Sequence, residues 1–274
     1  MKKGNIIFIV GVVLLLLVCT FYDLQISMTL FNNQSIYGKF FEAAGELPMT
    51  YIGCFSAAAL FLTMKNTGRW TFYLGKIGFV LLVLFFSLTS IIMINTHLPL
   101  SIGLKIGLLI LTSLVFYLLA KAVPAKHYLA LKQAAKVGLI LAVLAILVVT
   151  ILKMFWGRMR FREMTDPIHQ FTRWYLPQGW TINNELMSFP SGHAANSSVI
   201  LWLSLLPTFV SRLAGKERLL EGLAAVWIVL VMVSRVVMGA HFATDVTVGM
   251  LLSISLFFWL KKRFITKNNQ LNVL

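Results

Sequence analysis

Apolar runs separated by short polar segments repeat along the chain. Eight of them predict helices, at roughly 5–21, 49–64, 72–95, 99–120, 137–152, 195–213, 219–238 and 243–260. A bilayer core about 30 Å thick takes about 20 apolar residues in a helix. The second and fifth runs are short by that measure and reach it only by extending into their flanks. The pattern predicts an all-α, polytopic membrane bundle of about eight helices, with no internal repeat. It forms one membrane domain (1–274), with N-terminal helices over 1–135, a motif-bearing core over 136–262 and a cytoplasmic tail over 263–274. The first run, MKKGNIIFIVGVVLLLLVCTFYD, starts basic as a signal peptide does, but no A-x-A-like site follows. Leu17-Val18 precede Cys19 where a lipoprotein signal wants a small residue, so an uncleaved first helix is expected.

Composition agrees: the chain is 59% hydrophobic and 12% charged with mean hydropathy +0.85, whereas a soluble domain carries about 25% charged residues. Cys19 and Cys54 lie in apolar runs and read as small core residues. The net charge of +15 raises nucleic acid as a partner. The basic residues sit between apolar runs, however, which is how topology is encoded, and nucleic acid is set aside. With the N-terminus inside, 16 of the 24 basic residues fall on the cytoplasmic side, and every acidic residue except Glu217 and Glu221 falls on the other. Both termini are therefore expected in the cytoplasm.

The remaining basic residues are Lys39, Lys105, Lys153, Arg158, Arg160, Arg162, Arg173 and Arg235. Five of them share one exterior loop, and Arg235 ends the seventh run. Basic residues concentrated where topology disfavours them point first to anion binding, with attraction to anionic headgroups as the alternative. Three segments converge there. In KMFWGRMR, Lys153 and Arg160 stand two turns apart if helix continues past the fifth run, though basic residues also commonly cap outer helix ends; Arg158 is a further candidate. In SFPSGH, Pro190 suits a first helical turn, and Ser191, Gly192 and His193 would present backbone N–H groups to a phosphate oxygen. The same segment also reads as an ordinary serine-capped junction. In SRVVMGAHFATD, Arg235 precedes a turn at Gly239, and His241 and Asp245 share a face at i,i+4 spacing as a reactive pair or a structural one. Together these groups fit a phosphate monoester or pyrophosphate best.

Lys-x6-Arg, then PSGH, then Ser-Arg-x5-His-x3-Asp resembles the three-part signature of the type 2 phosphatidic acid phosphatase superfamily, integral-membrane lipid phosphatases that share a site with vanadium haloperoxidases. The resemblance covers about residues 153–245. It implies that His241 attacks phosphorus to form a phosphohistidine, that Asp245 orients His241, and that His193 is the general acid. Lys153, Arg160, Ser191, Gly192 and Arg235 would hold the phosphate, with no metal or other cofactor. It also implies a hydrolase of a lipid phosphate or pyrophosphate, with undecaprenyl pyrophosphate, phosphatidylglycerol phosphate and phosphatidic acid as candidates, working on the extracytoplasmic face of a bacterial plasma membrane. Phe161 replaces the proline that usually closes the first motif, a change in loop geometry. The family core has six helices with the first motif after the third; here it follows the fifth, so one helical pair is extra. Transfer of the phosphate to another lipid or sugar is a rival outcome at the same site. A non-enzymatic transporter is disfavoured, because its ionisable residues would lie near the bilayer midplane. Residues 154–189 form a long exterior segment whose Trp156, Trp174, Tyr175 and Trp180 read as an interfacial belt ahead of a lipid clamp. His97, His127 and His169 take no role.

Overall fold

Residues 3–266 are described by a computed structural model, and among them the apolar runs fold as ten α-helices joined by turns and 3-10 segments, with no strand. In chain order these are α1 (Lys3–Leu30), α2 (Ile36–Ala44), α3 (Leu47–Thr63), α4 (Trp70–His97), α5 (Ile102–Lys121), α6 (Tyr128–Trp156), α7 (Pro167–Gln170), α8 (Gly192–Ser198), α9 (Glu217–Val237) and α10 (Ala243–Lys261). Lys2 and residues 267–274 of the expected tail lie outside the described residues. Seven stretches are long and apolar enough to cross a membrane, one of them α2 and α3 together. The protein is a multi-pass, all-helical membrane protein.

Three departures from the sequence pattern bear on the site. First, α1 runs to Leu30 rather than 21, which carries Asp23 into a helix. Second, α2 occupies residues expected as a loop; Ser35 opens it by accepting from the Gly38 N–H (3.1 Å). Third, the predicted helix at 195–213 is a seven-residue α8 followed by a 3-10 helix over Val199–Thr208, so it falls outside the seven. Pro207 lies within that 3-10 stretch. Rises of about 1.5 and 2.0 Å per residue still give the segment a length of about 30 Å, one hydrocarbon thickness.

The chain divides into two compact units, each assembled from three separated segments. One comprises Ala43–Ala145, Asn196–Trp227 and Ser253–Leu274. Its core is α3, whose Ala57, Ala58 and Ala59 are buried. Gly138 lies beside Ser56 and Trp202, and the Trp202 indole donates to the Ala134 carbonyl at 2.7 Å. Cys54 is buried in the same core, as expected of a small apolar residue. Helices α4 and α5 present mostly exposed apolar side chains, as lipid-facing helices do. The second unit comprises Met1–Glu42, Ile146–Ala195 and Ile228–Leu252, and every candidate site residue belongs to it.

Candidate functional site

Helix α6 carries Lys153 in its last turn and stops at Trp156, because Gly157 takes a left-handed conformation (φ 63°). A side chain there would also strike the Gly179 carbonyl oxygen at 2.5 Å. Lys153 and Arg160 therefore do not lie on one continuous helix, contrary to the expectation from their spacing. Arg160 instead sits in extended backbone, ahead of a 3-10 turn over Phe161–Glu163. Phe161 is buried there, edge-on to Phe31 and Phe242 at 5.3 and 6.2 Å. That aromatic contact now fixes the chain's exit where the family pattern has proline.

The PSGH segment turns before α8 rather than inside it. Pro190 lies in a bend, joined to Phe189 by a cis peptide, and Ser191 is the helix cap, its Oγ accepting from the Ala194 N–H at 3.3 Å. The Ser191 N–H is committed to the Asp245 carbonyl (3.0 Å), so it is not a phosphate donor. Its hydroxyl can still donate, and an α-helix leaves the first-turn N–H of Gly192 without an internal acceptor. Two of the loop aromatics hold this segment rather than forming a belt. Trp156 and Trp174 pack on Phe189 at 4.5 and 5.8 Å, while Tyr175 and Trp180 face outward. His169 is exposed and pairs with Asp166 at 2.8 Å.

The third segment departs most from its predicted geometry. Helix α10 begins at Ala243, so His241 lies in the preceding loop and not on a helical face with Asp245. The Asp245 carboxylate folds back to accept the Phe242 N–H at 2.9 Å, the N3-to-cap arrangement of a capping box. It also accepts from Ser188 Oγ and Arg158 Nη1, both at 2.5 Å. The His241 ring, 2% exposed, instead donates from Nδ1 to the Ser188 carbonyl at 2.6 Å. A carbonyl only accepts, so Nδ1 carries the proton and Nε2 keeps its lone pair. Asp245 has no direct contact with His241 among these bonds: it accepts from the Ser188 hydroxyl, and the ring donates to the Ser188 carbonyl.

Burial first, and then the positive charges of Lys153, Arg160, His193 and Arg235, hold the His241 imidazole well below its ordinary pKa. Those four groups are ones the three motifs single out, and each acts electrostatically on the one ring. Lys153 Nζ reaches the Met187 carbonyl at 2.7 Å. Arg160 donates through Nη2 to Asn184 at 2.8 Å, and its buried Nε has no partner among the described residues. Arg235 is wholly buried, with Nη2 on the Gly38 carbonyl at 2.9 Å and Nη1 3.2 Å from the Glu42 carboxylate. The Glu42 carbonyl also faces His193 Nε2 at 3.4 Å. Helix α2 thus supports two site residues, a contribution no motif announced.

Arg158, a further candidate phosphate ligand from sequence, is corrected by its surroundings. It is fully buried, and its fork joins Asp245 to Asp23 (3.0 Å), with Nε on the Thr172 carbonyl and Nη1 also on Thr244. A guanidinium so surrounded is structural. Asp23 and Ser188 were both missed by motif reading. Hydropathy ends the first run at 21, short of Asp23; only the extension of α1 to Leu30 puts this ionisable residue inside an apolar helix, where it calls for a buried partner.

Helix α10 approaches this segment closely at Gly249, where an added Cβ would collide with the Ser191 carbonyl. Backbone cannot rotate away as a side chain can, so Gly249→Ala is expected to displace Ser191 and Gly192. A displacement on the order of 1 Å costs about 100-fold in turnover. Steady-state kinetics on the folded variant would check this, and unchanged kcat would mean the contact relaxes.

The family model described as the PAP2 superfamily matches residues 133–269, half of the chain. Phosphatidylglycerophosphatase B of Bacillus subtilis (strain 168) is 35% identical over 82 residues, which cover 29% of this chain and 40% of that protein. No solved structure matches the chain.

Proposed function

We propose that this chain, which belongs to the PAP2 superfamily, is a metal-independent lipid phosphatase acting through a phosphohistidine on the extracytoplasmic face of a bacterial membrane. One observation carries the proposal: His241 Nδ1 is fixed as a donor to Ser188, leaving a buried, unprotonated Nε2 among four positive groups. In the first step Nε2 attacks phosphorus and the P–O bond to the lipid breaks. His193 gives its proton to the departing oxygen. In the second step water attacks the phosphohistidine, His193 takes the water proton, and the P–N bond breaks to release phosphate. Lys153, Arg160, Arg235, the Ser191 hydroxyl and the Gly192 N–H neutralise the equatorial oxygens.

The motifs sit at the ends of α6, α9 and α10 and at the start of α8, where a lipid headgroup meets the protein. The charge asymmetry of the loops supports the outer face. An outward site suits a pyrophosphate carrier released during wall synthesis. The name of the Bacillus relative supports phosphatidylglycerol phosphate among the three candidates.

Purified protein in detergent with EDTA is expected to release phosphate from at least one of undecaprenyl pyrophosphate, phosphatidylglycerol phosphate and phosphatidic acid. Because the free imidazole titrates low, the acid limb of kcat/KM should fall below the usual histidine value of about 6.5. Above that limb Nε2 is unprotonated and active; as pH falls through it, protonation removes the nucleophile. No release from any of the three lipids by folded protein, or activity abolished by chelation, would sink the reading.

A further inference from the structure

We propose that Asp23, on α1 and outside the family-matched residues, is a positioning residue that supplies a second buried negative charge behind His241. The inference rests on the phosphohistidine reading above. Asp23 is 1% exposed and stands 221 residues from Thr244, yet both of its oxygens point at the start of α10. Oδ1 accepts the Thr244 N–H at 2.9 Å, one of the donors that a helix start leaves unsatisfied. Oδ2 accepts the Thr244 hydroxyl and, at 3.0 Å, Arg158 Nη2. Arg158 then reaches Asp245, Asp245 reaches Ser188, and the Ser188 carbonyl holds His241 Nδ1. The link from the first helix to the ring runs by hydrogen bonds as far as the Ser188 hydroxyl and then through the covalent frame of Ser188 to the carbonyl that accepts from His241.

Its charge count gives it a chemical consequence. With both carboxylates ionised, Arg158 balances one of Asp23 and Asp245, and the cluster behind His241 is net negative. The groups around the ring on the phosphate side are Lys153, Arg160, His193 and Arg235. When Nε2 bonds to phosphorus, the neutral ring becomes an N-phosphorylated imidazolium, and its new positive charge faces that cluster through Ser188. With Asp23 neutral, the cluster would be neutral too. Substrate binding belongs to the opposite set of groups, so the loss falls on turnover rather than on affinity.

Asp23→Asn separates charge from shape, because an amide oxygen still accepts the Thr244 N–H. It is expected to lower kcat about 10- to 100-fold, as removal of outer hydrogen-bonded partners does, with KM unchanged. The acid limb of kcat/KM should move to lower pH, since a lost negative charge disfavours the protonated ring. A merely structural residue would not move that limb. Wild-type kcat with an unmoved limb overturns the proposal. Thr244→Val is the control: it removes the hydroxyl shared by Asp23 and Arg158 but keeps every charge, so the acid limb should stay at its wild-type pH. A limb that moves to lower pH in Thr244→Val would show that packing rather than the Asp23 charge sets it, and overturns the proposal even where Asp23→Asn does not fold. A wild type that turns over no lipid overturns the phosphatase reading and this inference together, whereas an active wild type with an indifferent Asp23→Asn overturns the inference alone.

Discussion

His241→Ala is expected to abolish phosphate release, lowering kcat by about four orders of magnitude or more, as loss of a covalent nucleophile does elsewhere. The ring is the only group in the reading that bonds to phosphorus. Neither Lys153 nor Arg235 can replace it, since both are needed as cations. The variant should still fold, because what it loses is one hydrogen bond to the Ser188 carbonyl and a small buried volume. It should also still bind inorganic phosphate through the surrounding positive groups. Labelled substrate gives a second readout: wild type should trap phosphate in an acid-labile, alkali-stable form, and His241→Ala should trap none. Undiminished release in the variant would mean that another group attacks phosphorus.

The second large effect is expected on stability. Arg158→Leu leaves Asp23 and Asp245 buried without the cation between them. Removing one partner from a buried ion pair costs about 3–5 kcal/mol, chiefly because the remaining charge is left uncompensated. Arg158→Lys should recover little of this. An ammonium is a point charge, whereas the planar fork reaches two carboxylates, a threonine hydroxyl and the Thr172 carbonyl together. Thermal unfolding in detergent, read beside activity, tests both replacements. Wild-type stability in Arg158→Leu would show that the two carboxylates find other partners.

These two residues mark how far sequence alone reached. The Lys-x6-Arg, PSGH and Arg-x5-His spacings place Lys153, Arg160, His193 and Arg235 around His241, because motif spacing encodes which loops must meet. It does not encode how each side chain is held. His241 and Asp245 look paired at i,i+4, but the helix starts after His241 and its own capping need turns Asp245 the other way. Arg158 reads as one more phosphate ligand until its two carboxylates are seen, one of them 135 residues distant. Hydropathy found the spans with ends off by several residues. It missed α2, which is too short and too amphipathic for a crossing run, and it could not tell α from 3-10 winding at Val199–Thr208. Apolar length is legible in sequence, whereas the partners of buried polar groups are set only by tertiary contact.

Helices α4 and α5 bring this back to the whole chain. Among the described residues they contribute nothing to the site, whereas α1 supplies Asp23 and α2 supports Arg235. With α4 and α5 set aside, the first motif follows the third crossing, as in the six-helix family pattern. That makes this hairpin between α3 and α6 the candidate for the extra pair that the resemblance implies. Parity explains why such an insertion is tolerated. A single added crossing would carry Lys153, PSGH and His241 to the opposite face of the bilayer and separate the proposed site from a substrate presented at the original face. Two crossings return the chain to the side it left, so every later segment keeps its address.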